Sequence, residues 1–147
     1  MNNPKLIIFE GMDRTGKTTL MKKVWELRGR VDCCVDRYIV SNIVYNEFYE
    51  RKTALNSLEY LDFIEDNNKT IIVYVTTTYS DYKERALKTN HEILEYDLWD
   101  CLNSLFDKIM MKLEEDWFSN IKIIKIFNSN NDNLDILAQK IVNEIGD

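Results

Sequence analysis

Apolar positions along this chain follow two rhythms that take turns. Runs apolar at nearly every position occur at 6–10 (Leu-Ile-Ile-Phe-Glu) and 71–75 (Ile-Ile-Val-Tyr-Val), the latter within a strand predicted over 69–78. Two more strands are predicted over 31–38 and 121–127. Between them, apolar residues return every three or four positions, the period of a helix buried along one side. Leu20, Met21, Val24 and Leu27 mark a helix over 18–30 that Gly29 is placed to stop. Ile43, Val44, Phe48, Leu58, Leu61 and Ile64 mark a helical region from Ser41 that breaks at 53–57. Ser80 is the expected N-cap of a helix through Leu87. Leu98, Leu102, Leu105, Ile109 and Leu113 mark a helix over 94–117, and Leu134, Leu137, Ile141, Val142 and Ile145 a closing one.

Strand and helix alternate throughout, and strands apolar on both faces suit a sheet covered by helices on both sides. The expected fold is a three-layer α/β/α sandwich with a parallel sheet of four to five strands, one domain over 1–147. Ligands of such sheets bind at the carboxyl ends of the strands. The loop after the first strand, the end of the second and the loop after the third should therefore face one cleft.

Composition narrows the ligand. Nineteen Lys and Arg against 25 Asp and Glu give a net charge of −6 and no basic cluster, which disfavours a polynucleotide partner. A single histidine, His91, and three cysteines without metal-ligand spacing leave little for a zinc site or a histidine-based triad. The odd cysteine count, with Cys33 and Cys34 in a strand expected to be buried, suits a reducing compartment. Neither a signal-peptide layout nor a membrane-spanning run is visible, so a cytoplasmic location and no membrane partner are expected.

The chemistry lies between the first strand and the first helix. Residues 11–18 read Gly-Met-Asp-Arg-Thr-Gly-Lys-Thr and satisfy G-x-x-x-x-G-K-[ST] in the strand-turn-helix context of a phosphate-binding loop. Gly11 and Gly16 let the backbone curl around phosphate, and Thr15 and Thr19 extend the cradle toward the helix N-terminus. Lys17 can reach the β- and γ-phosphates of ATP, and the Thr18 hydroxyl can ligate Mg²⁺. Arg14 lies inside the loop, where a guanidinium can meet a transferring phosphoryl group. Asp36-Arg37 closes the second strand; the acid can hold Mg²⁺ through water and the arginine can bridge two phosphate groups.

From Phe9 to Thr19 the chain resembles the phosphate loop of thymidylate kinases. Asp36-Arg37-Tyr38-Ile39-Val40-Ser41, with Tyr45 beyond, resembles that family's Asp-Arg-Tyr/His motif and the helix after it, and residues 80–86 resemble the approach to its lid. The resemblance implies ATP- and Mg²⁺-dependent phosphorylation of a deoxynucleoside monophosphate, dTMP to dTDP. It puts Asp13 on the acceptor sugar and Arg37 on the acceptor phosphate, with Ser41 and Tyr45 on the acceptor side. Arg14, Lys17, Asp36 and Arg37 would carry catalysis, and Arg85 and Lys88 are the cations of a short lid around 82–97.

The family's extra strand and its thymine-gripping helix find no match between Lys17 and Asp36, which leaves Asn42, Tyr45, Asn46 and Tyr49 as candidate base readers. A deoxynucleoside kinase with Asp36 as base, and a silent nucleotide binder, remain the alternatives. A homodimer through helices flanking the second strand is open. The many Asn, Lys and Ile residues match the usage of AT-rich compact genomes such as those of phages.

Overall fold

A computed structural model describes residues 3–12, 14–37, 39–50, 70–115 and 121–146. Among these, four strands and five helices alternate: β1 (Leu6–Glu10), α1 (Lys17–Leu27), β2 (Cys33–Asp36), α2 (Ile39–Phe48), β3 (Thr70–Thr76), α3 (Tyr79–Lys88), α4 (Tyr96–Glu115), β4 (Ile121–Phe127) and α5 (Leu134–Ile145). All pairings are parallel, in the order β2-β1-β3-β4. The chain moves from β1 outward to β2 and then returns to β1's other side with β3. This reversal opens a crevice at the carboxyl ends of β1 and β3.

Period-two alternation sorts the sheet's side chains into two cores. Ile8, Ile72 and Tyr74 point to one face, where Val40, Ile43 and Val44 of α2, Tyr82 of α3, and Trp99, Leu102 and Phe106 of α4 cover them. Ile7, Phe9, Ile71, Val73 and Val75 point to the other, against Leu20 and Val24 of α1 and Ala138, Ile141 and Ile145 of α5. The result is the three-layer parallel sandwich expected from the pattern. None of the helices described is long and apolar enough to cross a membrane.

Element ends shift in ways that have local causes. The second strand is Cys33–Asp36, shorter than 31–38; among the described residues its register with β1 runs over those four residues. Among the described strands it lies at the edge of the sheet, and Cys33 is exposed and Cys34 half-buried, not enclosed as expected. Burial and the neighbouring Asp32 carboxylate still push the Cys34 thiol up to about 11. Thr78, not Ser80, caps α3: its backbone is extended and its hydroxyl accepts from the Asp81 amide at 3.1 Å. Helix α4 begins at Tyr96 and turns Trp99, Phe106 and Met110 inward beside Leu102, Ile109 and Leu113, leaving Leu98 exposed. Leu27 is also exposed, on the last turn of α1. The helix expected beyond residue 50, with Leu58, Leu61 and Ile64, lies outside the described residues, as do Asp13 and Tyr38.

One buried ion pair ties both ends of the chain to the sandwich. The Arg28 guanidinium grips Asp32 with two bonds, Nε to Oδ2 at 2.6 Å and Nη2 to Oδ1 at 3.2 Å, and neither side chain is exposed. It also donates to the Asn3 carbonyl (2.8 Å) and the Gly146 carbonyl (2.9 Å), while Asp32 Oδ1 accepts from the Lys5 amide at 2.9 Å. Removing one member leaves the other charged and desolvated. Asp32→Ala should therefore cost about 3–5 kcal/mol in urea unfolding, with Asp32→Asn costing less because it keeps an acceptor. A loss under about 1 kcal/mol for Asp32→Ala would show that the pair does not hold the termini.

Candidate active site

The phosphate-type loop leaves β1 and passes hard against β3. Gly11 has φ +138°, and a Cβ there would sit 2.2 Å from the Val75 carbonyl oxygen, so no other residue fits. Gly16 has φ +86°, and a Cβ there would sit 2.5 Å from Asn128 Nδ2. Gly11 is thus required by contact with the β3 backbone, whereas Gly16 is favoured by its left-handed backbone and by the room it leaves the Asn128 side chain.

The loop's carbonyls are taken up by side chains. Met12 O accepts from Lys17 Nζ (2.7 Å) and Thr15 Oγ1 (3.0 Å), Arg14 O from Arg85 Nη1 (2.8 Å), and Thr15 O from Asn128 Nδ2 (2.8 Å). Arg85 further donates to Asn128 O (2.9 Å) and Asn130 Oδ1 (2.6 Å), binding the loop, α3 and the segment after β4 together. Partial burial lowers the Arg85 pKa, and Asp81, Glu84 and Asp132 act against that shift. It remains cationic at neutral pH.

On the opposite side, Thr18 Oγ1 donates to Asp36 Oδ2 at 2.8 Å. Arg37 continues the pairing with β1 through its amide to the Phe9 carbonyl at 2.8 Å, then turns into α2 with φ +67°. Arg14 has φ +62°. A left-handed backbone at a non-glycine residue is costly by roughly 1–3 kcal/mol and concentrates at functional sites. Ser41, in the first turns of α2, is buried and donates its hydroxyl to the buried Glu10 carboxylate, fastening α2 to β1.

Two cavities result. The first, about 400 Å³, is lined by Arg14, Gly16, Lys17, Thr18, Thr19, Asp36, Arg37, Arg85 and Thr89. Four cations and one carboxylate face it in a chain whose net charge is −6, so positive charge is gathered where a polyphosphate would lie. The second, about 230 Å³, is lined by Met12, Arg14, Tyr45, Tyr49, Tyr82, His91, Glu92, Leu94 and Leu102. Arg14 borders both. Arg37 of the first stands over the ring of Tyr45 of the second, 5.3 Å from its centroid. Residues 89–95, between α3 and α4, contribute to both cavities.

Most of the residues anticipated from sequence converge here: Gly11, Arg14, Thr15, Gly16, Lys17, Thr18, Thr19, Asp36, Arg37, Tyr45 and Arg85 belong to the loop or line a cavity. Lys88 does not; it pairs with Glu84 on the surface at 3.2 Å. Asn42 is exposed and Asn46 buried, and neither lines a cavity described here. Sequence reading passed over Asn128, and it included Tyr82, Thr89, His91, Glu92 and Leu94 only within the expected lid around 82–97, without singling them out as cavity residues. Asn128 directly follows a strand's carboxyl end, a position that could have flagged it.

Mg²⁺ prefers oxygen ligands and is usually held by one or two protein groups together with substrate phosphates. Thr18 and Asp36 supply such oxygens on the cavity wall, and a hydroxyl that gives its proton to Asp36 keeps its lone pairs for a cation. The residues present fit that ion.

No protein-family model matches the chain, and no curated protein sequence does. Solved structures do. YorR protein from Bacillus subtilis, in complex with phosphorylated GDP, superposes with a TM-score of 0.75 at 21% identity, covering 96% of this chain and 95% of its own. Deoxyadenosine kinase from M. mycoides with bound dCTP gives 0.64 at 11% identity, covering 95% of this chain and 98% of its own. Thymidylate kinase from Candida albicans gives 0.60 at 15% identity, covering 97% of this chain and 91% of its own.

The geometry makes Asn128 a support of the loop. Asn128→Ala would leave the Thr15 carbonyl without that partner and weaken ATP binding about tenfold, read by calorimetric titration. Unchanged ATP affinity would mean the loop holds its shape without β4's end. With these neighbours spanning nearly its whole length, the chain has the fold of the P-loop nucleotide kinases.

Proposed function

We propose that this protein transfers the γ-phosphoryl group of ATP to a deoxynucleoside monophosphate. The observation that carries the reading is Arg14 on the boundary of both cavities, with Arg37 reaching from the first over Tyr45 of the second. The cationic cavity suits a triphosphate, and the aromatic cavity suits a base. Where the two adjoin, two anionic phosphates must approach each other, and guanidinium groups are what such an approach needs.

An acceptor phosphate already carries a nucleophilic oxyanion at neutral pH, so no general base is required. The barrier lies in bringing like charges together in line. Arg14 and Lys17 would neutralise charge on the transferring group, and Arg37 would hold the acceptor phosphate through its planar fork. Thr18 and Asp36 would hold Mg²⁺, which when bound neutralises charge on the β- and γ-oxygens. Arg85 reaches the same cavity while fixing the loop. Residues 89–95 would close over both ligands and exclude water.

A nucleoside kinase would need a base facing a neutral 5′-hydroxyl. Asp36 accepts from Thr18 and lines the first cavity, not the aromatic one, which supports the monophosphate reading. For the base, resemblance to thymidylate kinases suggests dTMP, whereas the structural neighbours named above include one holding a guanine nucleotide and one holding dCTP. The acceptor panel must therefore span all four bases.

With Mg-ATP and deoxynucleosides and their 5′-monophosphates offered in parallel, product should form from a monophosphate. Arg14→Ala should lower kcat by about 10³ or more while ATP still binds, and Arg37→Ala should raise the acceptor KM. Phosphorylation of free nucleosides alone would replace this reading with the nucleoside-kinase one and return Asp36 as base.

A further inference from the structure

Glu92 lies on an aromatic cavity that Arg14 also borders. Among the described residues it has no hydrogen bond or ion pair, although it lines the cavity beside Tyr45, Tyr49 and Tyr82. The residue is exposed, so its carboxylate is solvated in the free protein and open to a ligand that brings donors. Next to it, His91 Nδ1 lies 2.8 Å from the Thr89 carbonyl. A carbonyl only accepts, so Nδ1 carries a proton, and in the tautomer with that single ring proton Nε2 is an acceptor. Tyr82's hydroxyl is already engaged by the Leu94 amide at 2.9 Å, which fixes the segment carrying both residues to α3.

Apart from Arg14, which this cavity shares with the cationic one, the edge formed by His91 and Glu92 thus offers acceptors. Bases differ in what they offer to such an edge. Guanine presents N1–H and the 2-amino group side by side, two donors spaced for the two oxygens of one carboxylate. Thymine places a single N3–H between two carbonyl oxygens, which a carboxylate repels. Cytosine and adenine each present one amino group beside a bare ring nitrogen. We infer that Glu92, assisted by His91, reads the acceptor base, and that the base it selects is guanine, stacked against Tyr45 and Tyr49. Those two rings lie nearly parallel, at 16°, with centroids 6.5 Å apart. The inference rests on the reading of this cavity as the acceptor site, and it assigns a specificity that the likeness to thymidylate kinases does not.

The test separates binding from turnover. Titration calorimetry with a non-hydrolysable ATP analogue present should show dGMP binding at least about 100-fold tighter than dTMP. It should also bind about tenfold or more tighter than dIMP, which keeps N1–H and lacks the 2-amino group. In Glu92→Gln the preference of dGMP over dIMP should collapse, while affinity for the ATP analogue stays as in the natural protein. A fold defect would lower affinity for all ligands together, and circular dichroism of the variant checks this independently. Equal losses for dGMP and dIMP, or tighter binding of dTMP than dGMP, would overturn the inference whatever the turnover assay reports. Guanine-selective binding without phosphoryl transfer would uphold it and instead overturn the proposed reaction.

Discussion

Everything at this site depends on where the loop's carbonyl groups go. A peptide unit is planar and trans, so its carbonyl and the next residue's N–H point in opposite directions. Asn128 binds the Thr15 carbonyl, so the N–H of Gly16, a residue that lines the cationic cavity, points away from Asn128 Nδ2. Arg85 takes the Arg14 carbonyl, and Lys17 and Thr15 close the ring on Met12. The anchors come from α3 and from the end of β4, far apart in sequence. The β4 anchor reaches the loop because of the parallel strand order, which sets β4 beside β3, against which Gly11 packs. The sheet therefore positions donors as well as a loop, and a preorganised site of this kind needs little rearrangement to receive phosphate.

The second consequence is a separation of labour between two adjoining cavities. An acidic chain places four of its cations around one of them and aromatic rings around the other. Arg14 and Arg37, both held in the left-handed region, stand between. That conformation is unfavourable for an arginine, and the surrounding bonds maintain it: Arg37's amide is paired with β1, and Arg14's carbonyl is held by Arg85. Strain of this kind points side chains where regular strand or helix geometry would not. The Glu10–Ser41 bond adds a strut between β1 and α2, tying that helix to the strand that leads into the loop.

How much of this was legible in sequence follows from how local each signal is. The loop motif, its strand and its helix are contiguous, so the strand at 6–10 was read at its observed bounds, while the helix expected over 18–30 is Lys17–Leu27, ending two residues before Gly29. Strand β4 was bounded at the same residues, 121–127, because seven apolar-rich positions end abruptly on both sides. Asp36 and Arg37 were flagged because they close a strand next to the loop strand. What escaped was long-range. Asn128 is an ordinary asparagine until the fold sets it beside Thr15, 113 positions away in the chain. His91 and Glu92 belong to a polar stretch whose pattern says only that it is solvated. Cys33 and Cys34 looked interior because strand order, which makes β2 an edge, is not written in any local period.

The central claim is that a donor nucleotide and an acceptor nucleotide occupy adjoining cavities and meet at Arg14. A compound joining adenosine to a deoxynucleoside through a polyphosphate chain tests this directly, because linkage converts two binding events into one. Competition titrations should show it displacing both a bound ATP analogue and a bound deoxynucleoside monophosphate, more tightly than either alone, with the advantage lost in Arg14→Ala. Displacement of the ATP analogue only, with the monophosphate left in place, would contradict the account.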